Sequence, residues 1–278
     1  MKKMYSAVLL LTLGGSLLIS TLAQADTILD YAVKGKKADP AFNQSIVIKD
    51  DQIMVKAAGG NRDIDLFYSR AAENVVVVDH RKRTLMTVDE KEVARINRQV
   101  KDVKPLLQGV AAQVAKLSPE QRQNWQELLG DSISLDTIAK ASEPLQTTSL
   151  QPTKQTRKVA GFSCKMTRLI QGETPMADIC LANPATLKIS AKDEATLRAL
   201  FGLYEKIAAK SLEMTRQLGL SLPTMAMSEL PGIPIEIRDL SRDEKGGLTL
   251  SHVKTATVSP EVMKVPGGYK SVPLALWP

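Results

Sequence analysis

The chain has 278 residues, with 37 Lys and Arg against 30 Asp and Glu for a formal charge of +7, and is long enough to bury a sizeable core. Both signs are interspersed and aromatics are only 4%, so there is neither a long basic run nor a set of stacking rings, which excludes nucleic acid as a partner. Two histidines and two cysteines leave little material for a zinc or His-dependent enzyme.

Residues 1–25 read as a cleavable export signal. Lys2 and Lys3 form the positive start, Ala7 to Leu22 the apolar middle, and Ala23-Gln24-Ala25 the small-residue site that signal peptidase requires. Cleavage is expected between Ala25 and Asp26. The apolar stretch is broken by Gly14, Gly15, Ser16 and Ser20, too weak a pattern for a membrane span. No cysteine follows it to take a lipid. The expected product is a periplasmic or secreted chain with no transmembrane segment after cleavage.

From Asp26 to Val88 the pattern is a run of short strands, at 27–33, 44–49, 52–57, 63–68, 74–79 and 84–88, with Asp50-Asp51 and Gly59-Gly60-Asn61 as the clearest turns. Connections this short favour an antiparallel meander. Ile46 with Ile48, Ile53 with Val55, and Ile64 with Leu66 alternate, so one face is buried or lines a cavity.

A helical stripe follows: Val93, Ile96, Val100, Val103, Leu107, Val110, Val114 and Leu117 recur at spacings of three and four. Asp89 is placed to cap it, and Pro105 predicts a kink or two consecutive helices. Ser118-Pro119-Glu120-Gln121 opens a second helix with Ser118 as cap, Trp125, Leu128 and Leu129 as its apolar face, and Gly130 as its stop. The stripe suits a helical subdomain packed on its own sheet, or a docking helix for a partner. Residues 131–158, with Ser, Thr, Pro and Gln clusters, read as a weakly structured connector.

Beyond it come strands at 158–170 and 175–182. A helix follows at about 193–218 with Leu197, Leu200, Phe201, Tyr204, Ile207, Ala208 and Leu212 on one face, ended by Gly219 and Pro223. Strands at 233–239 and 247–258 complete the order. The sum is α+β, one domain over 26–278 with a helical insertion at about 89–130. Export makes a disulfide the expected fate of Cys164 and Cys180. If the hairpin between them pivots at Gly172, they lie directly opposite each other.

No nucleophile elbow, P-loop or dinucleotide fingerprint occurs; Gly161-Phe162-Ser163-Cys164 lacks the second glycine of an elbow. His80 and His252 sit in no metal spacing. No catalytic residue, metal or cofactor is therefore expected, and the chain is not read as an enzyme. His80-Arg81-Lys82-Arg83, the densest basic cluster, sits between two strands as a solvated turn or as a contact for an anionic headgroup or acidic partner. Met225 and Met227 fill a core or an adaptable apolar surface.

Several short pieces share a pattern: Val75-Val76-Val77-Val78-Asp79 with Thr84-Leu85-Met86-Thr87-Val88-Asp89, Ala160-Gly161-Phe162-Ser163-Cys164, Pro234-Ile235-Glu236-Ile237, and Val265-Pro266-Gly267-Gly268-Tyr269-Lys270. In these the chain resembles an exported bacterial family with a domain of unknown function, itself similar to LolA/LolB lipoprotein carriers. The resemblance implies a curved, incompletely closed antiparallel sheet, a LolA-like partial barrel, with helices over its concave face and an apolar cavity between. It transfers no catalytic residues. The segment from Asp89 to about Lys158 departs from that pattern.

The functional expectation is a periplasmic protein that holds a lipid, acyl chain or lipoprotein segment by burial. Its walls would be Ile46, Ile48, Ile53, Val55, Leu66, Val76, Val78, Leu85, Phe162, Ile237 and Leu248, unless these simply form a dry core. The alternative is an envelope protein that docks a protein partner through its helical insertion or a sheet edge.

Overall fold

The computed structural model describes residues 25–34, 41–122, 124, 148–217, 227–240 and 246–274. The expected export signal up to residue 24 lies outside them, as do the 131–147 part of the expected connector, the Trp125, Leu128 and Leu129 face with its Gly130 stop, Gly219, Pro223 and Met225.

The architecture is α+β: an open, mainly antiparallel sheet of twelve strands with flanking helices. The first six strands are β1 (Asp26–Lys34), β2 (Phe42–Lys49), β3 (Gln52–Lys56), β4 (Ile64–Ser69), β5 (Asn74–Asp79) and β6 (Thr84–Val88). They pair in sequence as the expected meander. Asp50 and Asp51 both take the left-handed conformation (φ 46° and 63°) that a two-residue hairpin needs for its twist to match the strands. Lys49 then faces Gln52 directly.

Helix α1 (Glu90–Ala115) starts where Asp89 accepts a hydrogen bond from the Glu92 amide at 2.7 Å, the expected cap. It runs as one helix through Pro105, so the two-helix form of that expectation is not what occurs. Val93, Ile96 and Val114 are buried; the side chains of Val100, Val103, Leu107 and Val110 lie outside the described set. At Ser118 the capping box forms: Gln121 N donates to Ser118 Oγ, and Ser118 N donates to Gln121 Oε1.

The connector expectation fails over its last part. Strand β7 (Thr148–Val159) occupies it and pairs with β8 (Phe162–Gln171). Ala160 and Gly161, both at positive φ, make the two-residue turn between them, so the single strand expected over 158–170 is in fact the end of one strand, a turn and another. β7 is one edge of the sheet, with eight of its twelve residues exposed. An edge strand needs no apolar alternation, and this one is protected from stray pairing by Pro152, a bulge, Lys154 and Lys158.

Strands β9 (Thr174–Ala182), β10 (Ile233–Asp239) and β11 (Gly247–Ala256) continue from β8, and β11 joins β1 to close the order. The cysteines form their disulfide, with Cα atoms 5.4 Å apart, but not across a directly opposed pair. The β8–β9 turn has two residues, and a bulge at Leu169/Ile170 adds a further shift. Cys164 therefore faces Ala182, Cys180 faces Met166, and the bridge spans a diagonal.

Helix α2 (Ala191–Gln217) lies on the inner face of the meander. Its first turn is pinned by a buried hydrogen bond from Thr27 Oγ1 to Asp193 Oδ2 at 2.6 Å. Leu197, Leu203 and Ala208 are buried, so the core stripe includes Leu203, while Tyr204 is more than one-third exposed. Helix α1 packs on α2, with Glu90 taking Lys206 and Lys210 and Asn97 Nδ2 donating to the Lys210 carbonyl.

The outer face of the same meander is covered by a C-terminal strap. Val258 and the 3-10 turn Pro260–Met263 pack on Val47, Met54, Phe67 and Val78. The chain then turns at Gly267-Gly268, where Gly268 (φ 75°) takes a conformation costly for other residues. It lies parallel to β6 as β12 (Lys270–Ser271) and reaches α1, where the Leu274 amide donates to Glu92.

Candidate functional site

The inner face of the meander is built from rows of side chains that run across its strands. One row, Thr27, Ile48, Ile53, Tyr68 and Val75, is set by direct pairing. Thr27, Ile48, Ile53 and Tyr68 are buried, and the apolar members belong to the cluster that contains Leu197 and Leu203 of α2. This part of the interface is dry packing.

The next row is Leu29, Ile46, Val55, Leu66 and Val77. Leu29 is buried, whereas Ile46, Val55, Leu66 and Val77 are each only partly buried. Four neighbouring apolar side chains at a strand spacing near 4.8 Å make a strip of about 14 Å, comparable to a medium-length acyl chain. Beyond the strip, Tyr31 is buried and its hydroxyl donates to the Pro234 carbonyl at 3.0 Å; burial pushes this phenol well above its ordinary range.

The wall residues expected from the sequence do not form one set. Ile46, Val55 and Leu66 lie in the half-buried row, and Ile48 and Ile53 lie under α2. Phe162 and Leu248 pack at the margin of that cluster. Ile237 packs instead with Ile179, Leu181 and Leu230. Val76, Val78 and Leu85 are on the opposite face, beneath Val258, Met263 and Tyr269, so they cannot share a wall with the others. Val77 was missed because Val75 to Val78 is apolar on both faces, and a run without alternation does not reveal which residues point inward.

Two open clefts flank the start of α1. One, of about 510 Å³, is lined by Ala71, Ala72, Glu73, Glu90, Lys91 and Lys210 among others; the second, of about 470 Å³, by Thr87, Lys91, Arg95, Arg98 and Ser271 among others. Both are lined by polar and apolar surface in about equal measure, and none of the expected wall residues lines either one. In the second, Glu92 accepts two hydrogen bonds from Arg95, at 2.6 and 2.8 Å, and one from the Leu274 amide at 3.2 Å. Chiefly through Arg95, these donors lower its pKa from the ordinary 4.5 to about 2.

A depressed carboxylate stabilises the fold fully above its unfolded pKa and loses that contribution as pH falls through the folded one. Acid titration from 4.5 towards 2 is thus expected to release the strap from α1, read as a lower protection of the Leu274 amide relative to its intrinsic exchange rate at each pH. In Glu92→Gln the acid-dependent step should vanish; an identical step in both proteins would remove Glu92 as its cause.

A further charged array crosses the face of β8–β10 that carries the disulfide. Arg168, Asp178 and Arg238 are directly paired across three strands, and Arg157 reaches Glu236 at 3.0 Å. The three arginines are part-exposed and the two carboxylates they hold, Asp178 and Glu236, are buried, so each acid is paired and one positive charge is left over. Among the described residues no group of three His, Cys, Asp or Glu is placed to hold a metal ion, and no helix is long and apolar enough to cross a membrane.

No family model and no curated protein matches the chain. Among solved structures, it is similar to an uncharacterised conserved protein from Thermus thermophilus, with 5% identity, a TM-score of 0.40, and coverage of 90% of this chain and 91% of that one. It is also similar to a LolA-superfamily protein from Nitrosomonas europaea, with 6% identity, a TM-score of 0.27, and coverage of 87% and 91%. Likenesses at this level assign neither a family nor an activity to this chain.

Proposed function

We propose that the chain is an exported binding protein that holds an apolar ligand, a lipid, an acyl chain or a lipoprotein segment, by burial and without covalent chemistry. The observation that carries this reading is the half-buried row Ile46, Val55, Leu66 and Val77 beside the edge of the α2 interface. An apolar chain laid along it would remove from water surface that the fold leaves wet. The strip lies on a rigid sheet, so binding needs no reordering of the strands. The first strand opens at Asp26, which is compatible with removal of the residues before it.

Native mass spectrometry of protein recovered from the periplasmic fraction tests both parts at once. The expected species begins at Asp26 and carries a lipid-sized added mass. Leu66→Asp, which puts a charge in the middle of the strip, should weaken binding of a fluorescent acyl probe by at least about tenfold while leaving the fold intact. Equal probe binding by parent and variant, or no binding by the parent, would sink the reading.

A second reading, docking of an envelope protein, is favoured by a single observation. β7 is a sheet edge with eight of its twelve residues exposed, and on either side of its Pro152–Thr156 bulge it leaves a short stretch for strand addition. The version of this reading that uses the helical insertion is weakened, since α1 directs Val93, Ile96 and Val114 into burial within its own chain.

A further inference from the structure

The basic turn after β5 does not stand alone. His80 Nδ1 lies 3.2 Å from the Tyr269 hydroxyl of the strap and His80 Nε2 lies 3.0 Å from Asp65. The Arg83 guanidinium sits 5.5 Å from the centre of the Tyr269 ring, and the Lys270 amide donates to the Arg83 carbonyl. On the other side the His80 amide donates to the Asp63 carbonyl, which brings the loop carrying Arg62 to the same end of the sheet.

Arg62, Arg81, Lys82, Arg83 and Lys270 are all exposed. None of them has an ion-pair partner among the described residues. Three acids share this end of the sheet: Asp65 is bonded to His80 and the Ala57 amide, Asp79 to the Lys82 amide, and Asp63 adjoins Arg62. Five cations against these three carboxylates leave an excess of positive charge, which costs stability through self-repulsion and attracts an anionic surface.

The strap adds the second ingredient. Val262 and Val265 are 41% and 37% exposed, while Met263 between them is buried in the outer-face cluster. Val265 is four residues from Tyr269, so it lies within about 14 Å of Tyr269, which packs on the basic turn, even if the chain is fully extended. Cations flanking outward-facing aliphatic side chains suit a bilayer surface: the cations meet anionic headgroups and the valines enter the acyl boundary. A soluble acidic protein would use the charges and leave the valines idle.

We propose that this surface, the 80–83 turn with Arg62, Lys270, Val262 and Val265, attaches the protein peripherally to an anionic lipid bilayer. It is separate from the apolar strip and does not depend on it. The test is vesicle flotation with protein recovered from the periplasm. Vesicles of equal parts phosphatidylcholine and phosphatidylglycerol should bind it, vesicles of phosphatidylcholine alone should not, and added salt should release it.

Replacing Arg81, Lys82 and Lys270 with Gln should weaken binding by about 100-fold, about fivefold per charge. Val262→Ser with Val265→Ser, which changes no charge, should weaken vesicle binding by at least about tenfold and leave binding to soluble polyglutamate unchanged. All these side chains are exposed, and an unchanged melting temperature confirms folding; the salt dependence of the parent protein needs no variant. No preference for anionic vesicles, equal binding by the triple variant, or a valine variant indistinguishable from the parent on vesicles overturns the proposal. The last result would assign the charges to an acidic protein. Leu66→Asp should still float with anionic vesicles, so failure here is distinct from failure of the acyl-binding reading.

Discussion

Ile48→Ala is expected to lower the free energy of unfolding by about 2–5 kcal/mol, the range for truncating a fully buried aliphatic side chain. Ile48 has no exposed surface and is paired with Thr27 on one side and Ile53 on the other, in the cluster that holds Leu197 of α2. The loss has two parts, the apolar surface no longer buried and the cavity left by strands that cannot close on the gap. Leu66→Ala is the control: its side chain is larger than the group remaining but only partly buried, so its cost should be well below that of Ile48→Ala. Urea unfolding with an unchanged slope measures both. Similar costs at the two positions would mean that the Leu66 row is packed like the Ile48 row, which would remove the basis for a binding strip.

Replacing Cys164 and Cys180 together with Ala is expected to cost about 3 kcal/mol, the loop-closure entropy of a bridge of this span. For a chain of this size that corresponds to a melting temperature lower by about 6–12 °C. The bridge joins β8 to β9, and β9 connects the exposed β7–β8 hairpin to β10 and the rest of the sheet. β9 is also buried on both faces, with Cys180 and Ala182 in one cluster and Ile179 and Leu181 in another. Alanine leaves no polar group in either site, so the measured change reports the bridge and not a buried hydroxyl. A melting temperature within about 2 °C of the oxidised parent would show that pairing alone holds the two strands and that the disulfide is dispensable for stability.

The meander was legible because its punctuation is local. Asp50-Asp51, which accepts the left-handed conformation, and the alternation in Ile46 to Ile48 and Ile53 to Val55 specify turn, strand and face within a few residues. The Asp89 and Ser118 caps were legible for the same reason. β7 was not, since apart from Leu150 and Val159 its apolar contacts are few and most of Thr148–Val159 is exposed, and a strand with so little buried face has the composition of a linker. The direct opposition of the cysteines failed through a shift of register that a two-residue turn and one bulge are enough to produce.

The candidate strip was half legible. Ile46, Val55 and Leu66 follow from alternation, but Val77 does not, because Val75 to Val78 offers the same side chain at every position. Grouping Val76, Val78 and Leu85 with Ile46 placed on one wall residues that lie on opposite faces of the sheet. The cover over those three, Val258 to Tyr269, is separated from them by most of the chain and has no periodicity of its own. For the 80–83 turn the sequence left a solvated turn and an anionic contact both open, and the strap that brings Tyr269 and Lys270 against it emerges only in the fold.

The sequence by itself determined the α+β class, the order of nearly all the strands, the helix starts and the pairing of the two cysteines, since each rests on periodicity, turn chemistry or the scarcity of alternatives. Only the tertiary structure decided which face each valine takes, which strand is the free edge, what covers the outer face and which cations are left uncompensated. Those features depend on hydrogen-bond register and on packing between segments far apart in the chain. A one-residue slip exchanges the two faces of a strand, and no local pattern in a run such as Val75 to Val78 forbids it.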